Sequence, residues 1–185
     1  PVGHETNRFI GSLDGKGLSV SNLVINRPTY EIQTGLFGTV GAAGITNNVG
    51  FANVSIKGNM YTGAVAGTHY GSMSGCFIDG GSVIGSNNYT GGLAGYYVGS
   101  TTVSGSHTTC SVTGKSDTGG LIGYTTAGMQ SSYATGNISG GGYAGGLFAI
   151  FVPTPGPAGP WVPEMIHQSA GAYEVRLADP IDPDH

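Results

Sequence analysis

The 185-residue chain carries 36 glycines, 38% apolar residues and only 16 charged ones, six Lys and Arg against ten Asp and Glu, for a net charge of -4. With six scattered basic groups and no basic stripe, a nucleic-acid-binding surface is excluded. So glycine-rich and charge-poor a composition suits neither an ordinary enzyme domain nor a charged disordered chain. Two cysteines are too few for a disulfide framework.

Charge divides the chain. Residues 1–150 hold Arg8, Lys16, Arg27, Lys57 and Lys115 against Glu5, Asp14, Glu31, Asp79 and Asp117 and sum to zero. Residues 151–185 hold five acids against Arg176, together with seven of the nine prolines. A boundary near residue 150 follows, separating a repeat domain from a proline-rich acidic tail. No apolar run approaches the ~20 residues that a membrane-spanning helix needs, and the first residues lack the regions of a signal peptide, so a mature or excised soluble chain is expected.

Residues 8–33 read as an opening coil. A turn at Asp14–Gly17 precedes two short strands, with Leu18 and Val20 in one phase and Leu23 and Ile25 in the next. Thereafter one glycine phrase returns: TGLFG at Thr34–Gly38, TGAVAG at Thr62–Gly67, TGGLAG at Thr90–Gly95, TGGLIG at Thr118–Gly123 and a decayed AGGLFA at Ala144–Ala149. The first residues lie 28, 28, 28 and 26 apart, which marks a stacked unit.

Each unit continues with a polar turn, an apolar residue (Ile45, Met73, Val103, Met129) and a closing [SN]-[VI]-x-G, as in Ser55–Gly58, Ser82–Gly85, Ser111–Gly114 and Asn137–Gly140. Three strand-like fragments per unit predict one coil of a parallel β-solenoid, with coils about 4.8 Å apart. Leu36, Val65, Leu93, Leu121 and Leu147 are expected to form one internal column, and Ile56, Val83, Val112 and Ile138 another. The doubled glycines Gly91–Gly92, Gly119–Gly120 and Gly145–Gly146 are expected to supply positive φ or close backbone approach at a corner. No proline falls between Thr29 and Val152, where it would delete ladder hydrogen bonds. Leucine-rich, propeller and helical repeats all fit this unit less well.

YTGGLAG, DTGGLIG and the run TGGLIGYTTAGMQSSYATGNISGGGYAGGLFA resemble the GLUG repeat, and FIGSLDGKGLSVSNLVI is similar to the coil that often precedes such arrays. The likeness covers residues 9–149, strongly from Thr90 onward and loosely at TGLFG, where one residue is missing. It implies an extracellular, bacterial-type scaffold of the kind found in adhesins and in non-catalytic parts of surface peptidases. It supplies no catalytic residue.

The tail begins as a polyproline-like spacer, Pro153–Pro160. A helical turn is expected over Pro163–Gln168 and a strand over Ala172–Leu177. Trp161, Met165, Ile166, Tyr173, Val175 and Leu177 are its candidate docking residues.

No catalytic, cofactor or metal site is legible. Asp79 and Asp117 are too far out of phase for a paired-carboxylate glycosidase and read as solvated turn residues. His4, His69, His107, His167 and His185 lack zinc spacing. Asp179, Asp182 and Asp184 fit a flexible acidic terminus better than a calcium site. Aligning the units sets Cys76 opposite Ser106, too far from Cys110 for a disulfide, so two buried thiols are expected. Tyr61, Tyr89 and Tyr143 precede the glycine phrase and Tyr96, Tyr97 and Tyr124 follow it; they cover the corner or receive the tail, or else form a recognition face for a host glycan or protein.

These features point to a non-enzymatic, secreted or surface-exposed structural protein, an adhesin scaffold or a filament subunit that assembles through its solenoid ends and tail. A ligand-binding adhesin domain is the alternative, and a polysaccharide-active β-helix enzyme a distant third.

Overall fold

A computed structural model of the protein describes residues 1–29, 32–99 and 101–152, together with the backbone of Pro163–His167 and Tyr173–Leu177. The described residues form strands and turns with no helix, and their parallel strands wind into a solenoid of about five turns. The expected fold class is the observed one.

Each coil has four faces where three strand fragments were expected. The corner face stacks Gln33–Thr34, Tyr61–Thr62, Thr90–Gly91, Thr118–Gly119 and Ala144–Gly145. The tyrosine face stacks Phe37–Val40, Ala66–His69, Ala94–Tyr97, Ile122–Thr125 and Phe148–Phe151. A short face follows with Ser12–Asp14, Ile45–Asn47, Ser72–Ser74, Val103–Ser104 and Met129–Gln130. The long face closes each coil with the nine-residue strands Gly50–Gly58 and Phe77–Gly85, and with split pairs in the opening and later coils. The fourth face arises because the Thr-Gly start of the phrase, which reads as a turn, is itself a two-residue strand.

The opening coil starts earlier than residue 8. Val2 bridges to Phe37 and Phe9 to Val40 on the tyrosine face, ahead of Ser12–Asp14, Ser19–Ser21 and Val24–Asn26. Leu23 and Ile25 pack on the core, while Leu18 and Val20 stay exposed.

Both predicted aliphatic columns form. Backbone hydrogen bonds run from Phe37 to Val65, Val65 to Leu93, Leu93 to Leu121 and Leu121 to Leu147, so the leucine level is continuous, and all its members but Leu36 are fully buried. Ile56 pairs with Val83, Val83 with Val112 and Val112 with Ile138, and Ile25 extends the column upward. Each fully buried Val, Leu or Ile contributes about 1.5–3 kcal/mol of transfer free energy.

Of the apolar residues that follow the polar turn, Met73, Val103 and Met129 are buried and Ile45 is not. Met73 stands opposite Thr46, and Ile45 points outward at 37% exposure. From Val40 to Thr46 is six positions, against four from His69 to Met73, while TGLFG is one residue short; the net slip is one, which turns a strand side chain to the other face.

The doubled glycines act by close approach and not by positive φ. A methyl group on Gly92 would lie 2.5 Å from the Gly120 carbonyl oxygen, and one on Gly91 would lie 2.7 Å from Ile122 Cα. Left-handed backbone is instead used where the short face meets the long one, at Asn48, Gly75, Gly105 and Ser131, with φ between 50° and 60°.

The glycine that closes each unit has a separate cause. Thr34, Thr62, Thr90 and Thr118 form a register column with no exposed surface. Methyl groups on Gly58, Gly85, Gly114 and Gly140 would run into the hydroxyls of this column. The Oγ1 atoms of Thr34, Thr62 and Thr90 have no hydrogen-bond partner among the described residues.

In the tail, the helical turn expected over Pro163–Gln168 is instead a strand, Pro163–His167, paired antiparallel with Tyr173–Leu177. Proline is tolerated as the first residue of such a strand. The expected second strand is present, and its backbone lies beside Met129–Gln130 and Tyr133–Ala134. Trp161 and the spacer Pro153–Pro160 lie outside the described residues.

Candidate functional site

The inward positions of the tyrosine face are Val40, His69, Tyr97 and Thr125, in register and all fully buried. The alternate positions Thr68, Tyr96 and Tyr124 are register partners one step earlier; Tyr96 and Tyr124 reach the surface, and Thr68 is covered at 4% exposure. Tyr97 is therefore removed from the recognition face. Its hydroxyl is 3.1 Å from the Gly71 carbonyl oxygen and 3.0 Å from that of Thr101, and it is a core residue.

Tyr96 and Tyr124 remain as one arm of an outer tyrosine cluster. Their rings stack at 4.6 Å between centroids and 9° between planes. Tyr61 and Tyr89, from the position before the glycine phrase, stack at 5.4 Å and 5°. The two pairs meet edge to face: Tyr96 contacts Tyr61 and Tyr89 at 5.6 and 5.5 Å, and Tyr124 contacts Tyr89 at 5.6 Å. Such edge-to-face geometry sets a positive ring edge on a negative ring face. All four rings are half-buried. Tyr143, from the same position of the decayed last unit, is 68% exposed.

Burial, and then the neighbouring phenols, push the Tyr61 and Tyr96 hydroxyls above the ordinary tyrosine pKa, so both remain neutral groups that can donate and accept. Tyr70 is close enough to contribute to both shifts. The Arg8 guanidinium sits 4.5 Å from the Tyr70 ring centroid, a cation–π contact, and Glu5 accepts a 2.8 Å hydrogen bond from Gln33 Nε2. Sequence reasoning missed Tyr70 and Arg8. Tyr70 follows the last residue of its tyrosine-face strand, Ala66–His69, and is outside the repeating tyrosine phase, and Arg8 arrives from the opening coil.

A second outer ladder, also missed, runs down the long face. Phe77 stacks on His107 at 5.4 Å and His107 on Tyr133 at 4.8 Å, because the three are register partners. His107 Nε2 lies 3.5 Å from Asp79 Oδ1.

The other ionisable groups are dispersed. Asp79 is exposed as expected but lies within the strand Phe77–Gly85 and not in a turn, and Asp117 is 6% exposed and is not a solvated turn residue. Asp79 belongs to the long face and Asp117 adjoins the corner face, so the two do not face each other across a cleft. Cys76 stands opposite Ser106, as the alignment of units required, and its amide donates to Ser106 Oγ at 3.2 Å. Cys76 and Cys110 are both buried and unpaired, and burial pushes their thiols up to about 11 and about 12. Among the described residues, no three His, Cys, Asp or Glu side chains gather as a metal site.

No family model matches the chain, and no solved structure matches it. Over 76 residues, 40% of its length, the chain is 41% identical to a protein named Halomucin from Haloquadratum walsbyi. Over 74 residues, 38% of its length, it is 34% identical to a Gly-rich membrane protein of Evansella cellulosilytica. Both matches are local. They cover 1% and 8% of those proteins, so the chain spans a small part of the relatives it resembles. Among the described residues, no helix is long and apolar enough to cross a membrane.

Proposed function

We propose that this chain is a non-enzymatic structural segment of an extracellular or cell-surface protein, a GLUG-like solenoid serving as an adhesin scaffold or as the subunit of a surface filament. The observation that carries this reading is the use made of the repeat. Its recurring threonine, leucine, valine and glycine positions go into internal columns and close backbone contacts, so what the repeat conserves from coil to coil is the stack. The separation of Asp79 from Asp117 supports the non-enzymatic part. The names of the partly matched relatives, Halomucin and a Gly-rich membrane protein, support a surface setting.

Assembly through the solenoid ends and tail is tested by deleting residues 153–185 and imaging both proteins by electron microscopy. In the filament reading, the strand Tyr173–Leu177 is exchanged from beside Met129–Gln130 and Tyr133–Ala134 of its own chain onto the same strands of a neighbouring molecule. Full-length protein then forms end-to-end filaments and the truncated protein stays monomeric. A full-length monomer that behaves the same when truncated sinks the filament reading and leaves the scaffold.

The tyrosine cluster favours a second reading, recognition of a host glycan or protein by the outer tyrosine face. Phenols that donate and accept hydrogen bonds, set among aromatic edges, suit a neutral, hydroxyl-rich ligand. Glycan-array binding by the wild type that is lost in Tyr96→Ala and Tyr124→Ala supports it, and binding that survives both substitutions removes it.

A further inference from the structure

We propose that Tyr96 and Tyr124 form an oxidative cross-linking site, coupled by a one-electron oxidant into a dityrosine that fastens two successive coils together. The inference rests on the geometry of the pair alone and is independent of both readings above.

Three observations carry it. The two residues are direct register partners on neighbouring parallel strands, so the fold holds them side by side. Their centroids are 4.6 Å apart with planes 9° from parallel, the closest approach among the tyrosine pairs of the cluster. Both rings are half-buried, which leaves part of each open to a reagent while their neighbours limit their motion. Tyr89 contacts both rings edge-on and restricts them further.

A haem peroxidase supplied with hydrogen peroxide removes one electron and one proton from each phenol, giving two phenoxyl radicals. The radicals join through one new carbon–carbon bond between ring positions ortho to oxygen, and the hydrogens on the joined carbons shift to the phenolic oxygens. Two electrons and two protons leave in all, and hydrogen peroxide takes them up to become two water molecules.

The bond has a mechanical meaning here. Cys76 and Cys110 are buried and unpaired, so the described part of the stack has no disulfide cross-link between coils. In a solenoid each coil contacts only its neighbours, and a tie between two of them opposes separation where the fold is otherwise held by strand pairing and packing. Closing a loop between positions 96 and 124 restricts the unfolded chain in the way a disulfide of that span does.

The test treats dilute full-length protein with horseradish peroxidase and hydrogen peroxide, then follows dityrosine fluorescence and maps cross-linked peptides by mass spectrometry. The expected product migrates as a monomer, has lost two hydrogens, and joins the peptide containing Tyr96 to that containing Tyr124. Tyr96→Phe and Tyr124→Phe each reduce the yield several-fold. Phenylalanine keeps the stacked ring, so folding is preserved, and circular dichroism verifies this. Tyr143→Phe, which removes the most exposed tyrosine among the described residues, leaves the yield unchanged. Cross-links confined to Tyr61 and Tyr89, cross-links mainly between molecules, or an unchanged yield in Tyr96→Phe would each overturn the assignment.

Discussion

Gly85→Ala lowers stability by about 3 kcal/mol, at the upper end for overpacking a well-packed core, and lowers Tm by roughly 10 °C for a chain of this size. The cause is steric. The added methyl runs into Thr90 Oγ1, and the Thr90 Cβ and Cγ2 atoms stand 3.1 and 3.2 Å from it. Thr90 is fully buried and β-branched, so it has little freedom to swing away. Its hydroxyl has no hydrogen-bond partner among the described residues, so removing that oxygen sacrifices little. A double-mutant cycle therefore isolates the clash. Gly85→Ala combined with Thr90→Ala is more stable than the sum of the single effects by about 1–2 kcal/mol, within the range for residues in contact. Thermal melts of the four proteins measure the coupling. Simple additivity would show that the closing glycine of the unit is needed for some reason other than the threonine column.

Acid supplies the larger effect. His69 is fully buried, and burial depresses its imidazole from the usual 6.5 to about 3. Nε2 lies 2.9 Å from Thr46 Oγ1, while Nδ1 has no well-formed hydrogen bond; the Gly71 backbone only partly offsets the burial. The folded-state value is below the unfolded one, so the stability due to neutral His69 is complete above about pH 6.5 and is lost as pH falls toward 3. The slope is about 1.4 kcal/mol per pH unit, and the full loss is about 5 kcal/mol. His69→Phe, at a position stacked between Val40 and Tyr97, abolishes this contribution. Urea denaturation at stepped pH values reads it directly. Wild type weakens from about pH 6.5 downward, whereas the variant holds level until the carboxylates titrate. Equal slopes in the two proteins would mean that His69 is protonated in the fold and that the ring has found water or a partner there.

The repeat was legible because a solenoid writes one structural unit many times. Leu93, Leu121 and Leu147, or Val83 and Val112, announce a shared environment through their spacing alone. Phase within a coil was harder to see. Tyr96 and Tyr97 are adjacent, and a strand sends neighbours to opposite faces, so choosing the outward one required the parity set by Val40 and His69 in other coils. At Thr46 a short glycine phrase and a long turn shifted that parity by one, and Ile45 took the outward place despite its apolar side chain. The tyrosine cluster was half visible. Tyr61, Tyr89, Tyr96 and Tyr124 recur beside the phrase, but their interlocking, and the approach of Arg8 to Tyr70, depend on how far each coil carries the chain sideways. Asp117 was misread as solvated, because its residue type predicts solvent whereas its register position places it next to Tyr143, in the column of residues that precede the phrase.

The coil-by-coil threonine and leucine columns also determine how the molecule yields under load. A stack whose layers bind only the layer above and below is a spool, and tension on its ends unwinds it from an end one turn at a time. Each 28-residue turn that peels away releases a contour of about 90–100 Å, while the turns beneath keep their pairing. Such a segment lengthens in near-equal increments and absorbs a pull without surrendering its whole core at once.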